Sequence, residues 1–124
     1  MSKELIVLAV DDDMINLKLL KSMLTKNPNV KEILEAKNGV EAIDIIRDRG
    51  DINLILLDII MPIMNGLEML KVVRCDENIK QVPIIVLTTD ETKKTEALEL
   101  GANGFLMKPI RNSELTQKIE ALSL

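Results

Sequence analysis

Five side chains that could carry out chemistry each follow an apolar run of this chain: Asp11, Asp12, Asp58, Thr88 and Lys108. Three carboxylates brought together would repel one another, and each would raise the cost of ionising its neighbours. A hard divalent cation relieves that repulsion, and Mg²⁺ is commonly held by one or two carboxylates together with a phosphate oxygen. A lysine ammonium and a threonine hydroxyl could contact the other oxygens of a phosphoryl group, whose transfer requires mainly positioning and charge stabilisation. A carboxylate can also be the nucleophile and form an aspartyl-phosphate.

Each of these residues also has an ordinary structural explanation when it is considered alone. An aspartate at the end of a strand, such as Asp58, often caps the following helix, and a single lysine is usually solvated. The run of aspartates continues to Asp13, which is well placed to cap a helix that starts at Met14. From the residues alone, the metal-binding pair could therefore be residues 11 and 12 or residues 12 and 13. The chemical interpretation requires that the fold bring the whole set together.

Apolar runs and apolar residues at helical spacing predict an alternation of strands and helices. The run before Asp58 is apolar at every position, which is typical of a strand buried on both faces. The predicted strands span residues 4–10, 30–36, 52–58, 82–88 and 105–107. The predicted helices span residues 14–26, 40–49, 66–75, 91–100 and 112–122. Charged residues interrupt the second strand, which predicts that it lies at an edge of the sheet.

This alternation predicts an α/β fold, with one doubly wound parallel sheet in a single domain over residues 1–124. The carboxyl ends of parallel strands lie along one edge of the sheet, where α/β proteins bind their ligands. The five chemically capable residues are therefore expected to meet there. The helix at 91–100 is polar in its first half, with only Ala97, Leu98 and Leu100 expected to be buried, so it should be weakly anchored.

Composition excludes several other kinds of function. The 124-residue chain has a net charge of −4 and a single aromatic residue, Phe105, which argues against binding of nucleic acids. It contains no histidine and one cysteine, Cys75, which excludes zinc sites and histidine-based catalysis. A single cysteine cannot form an intramolecular disulfide, and no run is long enough for a signal or a membrane span. We therefore expect a cytoplasmic protein.

The arrangement of motifs resembles the receiver domain of two-component response regulators, of the stand-alone chemotaxis type. The matching stretches are Val10-Asp11-Asp12, Leu56-Leu57-Asp58 with Met61-Pro62 and Asn65-Gly66, Val86-Leu87-Thr88-Thr89, Gly101-Ala102-Asn103-Gly104-Phe105 and Lys108-Pro109. The match extends from the first strand to the last helix. It implies a flavodoxin-like fold of five strands in the order 2-1-3-4-5 and five helices.

The resemblance implies a role for each residue of the metal and phosphoryl site. Asp58 is expected to accept a phosphoryl group from a sensor histidine kinase or a phosphotransfer protein. Asp12, Asp58 and the backbone carbonyl of Ile60 are expected to bind Mg²⁺ directly, with Asp11 acting through water. The family pattern thus selects Asp11 and Asp12 as the acidic pair and leaves Asp13 as a helix cap.

The resemblance also implies a switch. Lys108 is expected to hold the phosphoryl group, and Thr88 to close on it after transfer. Phe105 occupies the position of an aromatic residue that turns inward as Thr88 moves, and the Lys108–Pro109 peptide bond is expected to be cis. Residues Ile60 and Asp90 occupy variable positions that influence how long the phosphoryl group survives.

The implied function is a phosphorylation-activated switch that at most catalyses its own phosphorylation and dephosphorylation. Its fourth helix, fifth strand and fifth helix would control a downstream protein, as a monomer that phosphorylation could dimerise. The alternative is a receiver domain excised from a longer response regulator or a hybrid kinase. A phosphohydrolase of the haloacid dehalogenase type would need a second acid where Ile60 stands, and a flavodoxin-like nucleotide binder would not place three aspartates in its first loop. A pseudo-receiver that binds partners without phosphorylation also stays open.

Overall fold

The computed structural model describes residues 4–122 and forms one parallel sheet with helices on both faces. The strands are β1 (Leu5–Val10), β2 (Val30–Ala36), β3 (Leu54–Asp58), β4 (Ile84–Thr88) and β5 (Gly104–Met107). The helices are α1 (Met14–Thr25), α2 (Gly39–Arg49), α3 (Gly66–Cys75), α4 (Lys94–Glu99) and α5 (Asn112–Ala121). The strand order is β2-β1-β3-β4-β5, so the predicted doubly wound fold is confirmed and β2 is an edge strand.

Successive side chains of the central strands face opposite sides of the sheet, and the helices cover both sides. Val7 and Ala9 of β1 belong to a core formed with α1 and α5, whereas Leu8 and Val10 belong to a second core formed with α2, α3 and α4. Burial on both faces explains why β1, β3 and β4 are almost uninterrupted apolar runs. Within residues 4–122, no helix has the length and apolar character required to cross a membrane.

The third and fourth strands each begin two residues later in the structure than predicted, and local hydrogen bonding explains both differences. The fourth strand begins at Ile84 rather than at residue 82, because Pro83 has no N–H to extend the ladder. The Pro83 carbonyl still accepts a hydrogen bond from Ile55 N at 2.9 Å. The third strand begins at Leu54, since the residue before it, Asn53, pairs with Ile6 partly through its side chain.

The predicted helix at 91–100 is interrupted. A short 3₁₀ turn at Glu91–Lys93 precedes α4, which is only six residues long. Ala97 is buried, as predicted, but Leu98 is 43% exposed, so the prediction that it is buried is wrong. With one fully buried side chain, α4 gains little from packing.

Apolar residues lie on more than one side of α1, and only one side is buried. Leu17, Leu20 and Leu24 are buried, whereas Ile15 is 70% exposed and Leu19 is 55% exposed. This helix carries two candidate apolar stripes, and the direction in which it leaves β1 selects the one that faces the sheet.

Candidate metal and phosphoryl site

The parallel sheet carries four of the predicted site residues to its carboxyl edge. Asp11 follows β1, Asp58 ends β3, Thr88 ends β4 and Lys108 follows β5. These strands are adjacent in the sheet, in the order β1, β3, β4, β5. Residues that are as much as 97 positions apart in the chain, such as Asp11 and Lys108, are therefore brought into direct contact.

The Lys108 ammonium group bridges two carboxylates of this edge. Its Nζ lies 3.0 Å from Oδ2 of Asp11 and 3.1 Å from Oδ1 of Asp58. All three side chains are largely buried, and salt screens a buried ion pair only weakly. The backbone N–H of Lys108 donates to the carbonyl of Thr88 at 2.9 Å, which fixes the start of the β5–α5 connection beside β4.

The site places Asp58 where its charge is disfavoured. Burial raises the pKa of Asp58, and the negative charge of Asp11 raises it further, while Lys108 opposes both effects. Burial alone would lower the pKa of Lys108, but its hydrogen bond to Asp11 and the charges of both carboxylates outweigh burial, so that pKa is raised. Lys108 is thus held as a cation beside a carboxylate whose charge is only partly compensated.

Three carboxylates form a cluster of suitable size for one cation. One carboxylate oxygen from each of Asp11, Asp12 and Asp58 lies within 4.8 Å of the others. Asp11 and Asp58 are buried and Asp12 is exposed, so the cluster opens to solvent on one side. Carboxylate oxygens are the hard donors that Mg²⁺ prefers, and an open side leaves room for the waters that it retains. The donor set therefore fits Mg²⁺.

The third consecutive aspartate has a different role. Oδ1 of Asp13 accepts a hydrogen bond from Ile15 N at 2.9 Å and caps α1. The N–H of Asp13 itself donates to Oδ1 of Asp11 at 2.9 Å. Asp13 thus donates its N–H to Asp11, and its own carboxylate is not part of the cluster of Asp11, Asp12 and Asp58.

The loop after Asp58 is held tightly against the end of β3. Gly66 N donates to the carbonyl of Ile59 at 2.8 Å. A Cβ added at Gly66 would lie 2.3 Å from the carbonyl oxygen of Asp58, so only glycine allows this approach. Asn65 and Glu68 form a capping box that starts α3 at this point. Ile60, two residues after Asp58, is 67% exposed.

The remaining predicted residues lie on β4, β5 and the connection after β5. Thr88 is buried, and its Oγ1 accepts a hydrogen bond from Asp90 N at 3.2 Å. Phe105 is buried in the core on the α4 side of the sheet. The peptide bond between Lys108 and Pro109 is cis.

One hydrogen-bonded pair near the site, Asp90 and Thr92, was not predicted from the sequence. Both the backbone N–H and the hydroxyl of Thr92 donate to Oδ1 of Asp90, which caps the 3₁₀ turn. The pattern Asp-x-Thr at the start of a helical segment could have indicated this cap. Through Asp90, this cap connects Thr88 to the 3₁₀ turn that precedes α4.

Comparisons with known proteins agree with this geometry. A family model for the response regulator receiver domain matches residues 7–120. The Campylobacter jejuni chemotaxis protein CheY homolog of strain 81-176 is 36% identical over 116 residues, which are 92% of this chain and 88% of that protein.

Two solved structures extend the comparison. Vibrio cholerae chemotaxis response regulator CheY4 has a TM-score of 0.82 and 32% identity, over 95% of this chain and 98% of the other. The CheX–CheY complex of Borrelia burgdorferi with BeF₃ and Mg²⁺ has a TM-score of 0.85 and 27% identity, over 97% of this chain and 90% of the other. A family model that spans nearly the whole chain and a relative that is 36% identical leave one assignment: this chain belongs to the response regulator receiver domain family.

Proposed function

We propose that the chain is a phosphorylation-activated switch of a two-component phosphorelay, with Asp58 as the phosphoacceptor. The donor would be the phosphohistidine of a sensor histidine kinase or a phosphotransfer protein. An oxygen of Asp58 would form a bond to phosphorus while the P–N bond breaks, and the histidine nitrogen would leave with the bonding electron pair. The observation that carries this proposal is the Lys108 ammonium, which lies within 3.1 Å of Asp58 in a cluster of three carboxylates.

Each neighbour of Asp58 has a proposed part in the transfer. Asp12, Asp58 and the backbone carbonyl of Ile60 would hold Mg²⁺, with Asp11 acting through a bound water. When bound, Mg²⁺ would neutralise charge on the phosphoryl oxygens. The acidic cluster supports this assignment, as does the Borrelia burgdorferi complex, which contains Mg²⁺. Lys108 would hold another phosphoryl oxygen, because its ammonium already lies beside Asp58.

The proposed output is a change of the face formed by α4, β5 and α5. The Thr88 hydroxyl would donate to the phosphoryl group, and Phe105, which is already buried, would be held in that inward position. Leu98 on α4 and Met107 on β5 are exposed apolar side chains, which supports contact between this face and a downstream protein. The switch would act in the cytoplasm as a monomer that phosphorylation could dimerise. A receiver domain within a longer response regulator or hybrid kinase would use the same chemistry.

Labelling with acetyl phosphate tests the proposal directly. The wild type is expected to gain one phosphoryl group by intact mass in the presence of Mg²⁺ and to gain none after chelation. Asp58→Asn should remain unlabelled. Asp13→Asn is the matched control, because asparagine can still cap α1 and the carboxylate cluster is untouched. Undiminished labelling of folded Asp58→Asn would disprove the assignment of the phosphoacceptor.

A further inference from the structure

The loop between β3 and α3, residues 59–65, is fixed at two points. At its start, the Ile59 side chain is buried and its carbonyl accepts a hydrogen bond from Gly66 N at 2.8 Å. Near its end, the Met64 carbonyl accepts a hydrogen bond from Gly39 N at 3.1 Å. Gly39 is the first residue of α2, so the loop is joined to a second helix besides the one into which it leads.

The hydrogen bond from Gly39 also satisfies a donor of α2. The first N–H groups of a helix have no partner within the helix and must find one elsewhere. The side chain of Asn38 accepts from Glu41 N at 2.9 Å, and the Met64 carbonyl accepts from Gly39 N. Separation of the loop from the helix would therefore leave polar groups of both segments without partners.

The Met64 side chain packs directly against Gly39. A Cβ added at Gly39 would lie 2.7 Å from Cγ of Met64 and 2.9 Å from its Sδ, closer than Cβ atoms approach other atoms in proteins. The backbone conformation does not require glycine here, since the glycines with positive φ within residues 4–122 are Gly50 and Gly101. Alanine is also preferred over glycine in helices. The feature that glycine provides at this position is room for Met64.

Residues 60–63 span the distance between the two fixed points and include a strained turn. Met64 N donates to the Pro62 carbonyl at 2.7 Å, and Ile63 between them has a φ of +68°. This combination is characteristic of the rarer and more strained form of γ-turn. Such a conformation persists only where the surrounding structure imposes it. The attachment of Met64 to Gly39 is directly adjacent to the turn and can impose it.

We propose that Gly39 and Met64 are positioning residues for the metal site, because their contact holds residues 60–63 in the conformation that presents the Ile60 carbonyl to Mg²⁺. This inference rests on the proposed function, which assigns that carbonyl to the metal. Release of Met64 would allow the strained turn to relax and would move the carbonyl relative to the carboxylate cluster. Neither residue touches the metal, and both act on it through the loop.

Substitutions on the two sides of the contact test this role. Gly39→Ala introduces the Cβ that collides with Met64, and Met64→Ala removes the side chain that packs against Gly39. The double variant lacks the Cγ and Sδ atoms that cause most of the collision. Met64→Leu is the conservative variant, because it nearly preserves the volume of the side chain. Val40→Ala, at the next and exposed position of α2, is the matched control.

The primary measurement is the affinity for Mg²⁺ alone, from amide chemical shifts in an NMR titration. Gly39→Ala and Met64→Ala are each expected to weaken Mg²⁺ binding about tenfold, the lower end of the range for changes to groups that orient a metal ligand. The double variant should also lose about tenfold instead of about a hundredfold, because the two residues act through one contact. Met64→Leu and Val40→Ala should stay within about twofold of the wild type.

The rate of labelling by acetyl phosphate distinguishes positioning of the metal from a general loss of structure. Gly39→Ala should be labelled slowly at low Mg²⁺ and at the wild-type rate at saturating Mg²⁺. Urea denaturation without Mg²⁺ shows whether each variant is folded. If Gly39→Ala does not fold, the comparison of Met64→Ala with Met64→Leu replaces it.

Three results would overturn the inference. The first is wild-type affinity for Mg²⁺ in folded Gly39→Ala, or equal affinities in Met64→Ala and Met64→Leu. The second is a loss in the double variant that equals the product of the two single losses. The third is slow labelling of the folded variants that saturating Mg²⁺ does not restore.

The inference and the proposed function fail in different ways. If the wild type binds Mg²⁺ and is labelled at Asp58, but every variant binds Mg²⁺ as the wild type does, the role of Gly39 and Met64 is wrong and the phosphoacceptor role stands. If the wild type neither binds Mg²⁺ nor accepts a phosphoryl group from acetyl phosphate, the proposed function is wrong, and the inference is wrong with it.

Discussion

The surroundings of Asp58 disfavour the ionised form of its carboxyl group. Burial and the neighbouring charge of Asp11 raise its pKa, and Lys108 compensates only in part. Because the pKa in the folded protein lies above the ordinary value of 3.8, ionisation of Asp58 at neutral pH costs stability. A cation in the carboxylate cluster would reduce that cost by neutralising part of the negative charge.

Asp58→Asn is therefore expected to raise the unfolding temperature of the metal-free protein at neutral pH. Mg²⁺ should raise the unfolding temperature of the wild type more than that of the variant, because the variant lacks one ligand charge. Differential scanning calorimetry with chelator and with Mg²⁺ measures both effects. Asp44→Asn, an exposed change on α2, is the control. A metal-free Asp58→Asn protein that unfolds below the wild type would contradict this account.

Ile63, in the loop after Asp58, has a backbone conformation that is unusual for its type. Its φ is +68°, in the left-handed region, where a β-branched side chain is disfavoured. The side chain is 79% exposed, so it gains little from burial. Such strain is characteristic of segments whose shape is dictated by their surroundings. Here the hydrogen bond from Gly66 N to the Ile59 carbonyl holds the far end of the loop next to the end of β3, and Asn65 caps α3.

Ile63→Asn is expected to stabilise the fold by about 1 kcal/mol, because asparagine tolerates the left-handed region and little apolar burial is lost. Urea denaturation of the metal-free proteins measures the difference. The same change at exposed Ile60, for which no positive φ occurs, should leave the free energy of unfolding nearly unchanged. Equal gains at both positions would indicate an effect of surface polarity instead of backbone strain.

At the scale of elements, Arg74 holds together three segments at the end of the sheet opposite to Asp58. From α3 its guanidinium donates to the carbonyls of Lys80 and Val82, both at 2.7 Å, which fixes the turn before β4. It also donates to the Gly101 carbonyl at 2.9 Å and to Asn103 Oδ1 at 2.8 Å, which fixes the connection from α4 to β5. The connection after the C-terminal end of α4 is thus tied to α3, whereas Asp90 caps the 3₁₀ turn before its N-terminal end.

Arg74→Met is expected to lower the free energy of unfolding by about 3 kcal/mol, because the apolar stem remains but four hydrogen bonds are lost. Hydrogen exchange should accelerate over residues 100–103 more than over the strands. Chemical denaturation and exchange mass spectrometry measure these effects. Arg111→Met, at an exposed position before α5, is the matched control and should change stability little. Equal losses of stability in the two variants would contradict the proposed role of the Arg74 hydrogen bonds.

At the scale of the whole molecule, an ion pair joins α2 to the segment that follows α3. Arg47 of α2 contacts Asp76, the residue after α3, at 3.0 Å. The pKa of Asp76 is lowered mostly by the hydrogen bond from the Asn78 N–H and to a smaller extent by the hydrogen bond from Arg47. A lowered pKa means that the charged form is favoured by folding. This contribution is present above pH 3.8 and is lost as the pH falls through the lower folded-state value.

Asp76→Asn is therefore expected to be less stable than the wild type at neutral pH, and the difference should shrink as the pH falls below 3.8. Asparagine can still accept from the Asn78 N–H, so the change removes the charge and the hydrogen bond from Arg47 and keeps the local turn. Urea denaturation across this pH range measures the difference, with Asp48→Asn on α2 as the control. A constant difference at all pH values would assign the effect to local geometry and not to ionisation.

Much of this architecture was contained in the sequence. Strands buried on both faces must be apolar at every position, so the runs before Asp11, Asp58 and Thr88 predicted the central sheet. Parallel strands end along one edge, so the polar residues after those runs were predicted to lie near one another. Both arguments depend only on local patterns, which is why the fold and the family were available without coordinates.

Contacts between distant segments required the tertiary structure. The choice between the two apolar stripes of α1, which left Ile15 and Leu19 exposed, depends on how the helix packs against the sheet. The bridge of Lys108 to Asp11 and Asp58 joins residues from three strand ends, so no local pattern could establish its geometry. The residue types, determined by the sequence, supply the chemistry of the site, while the close packing of the strand ends decides which charges meet.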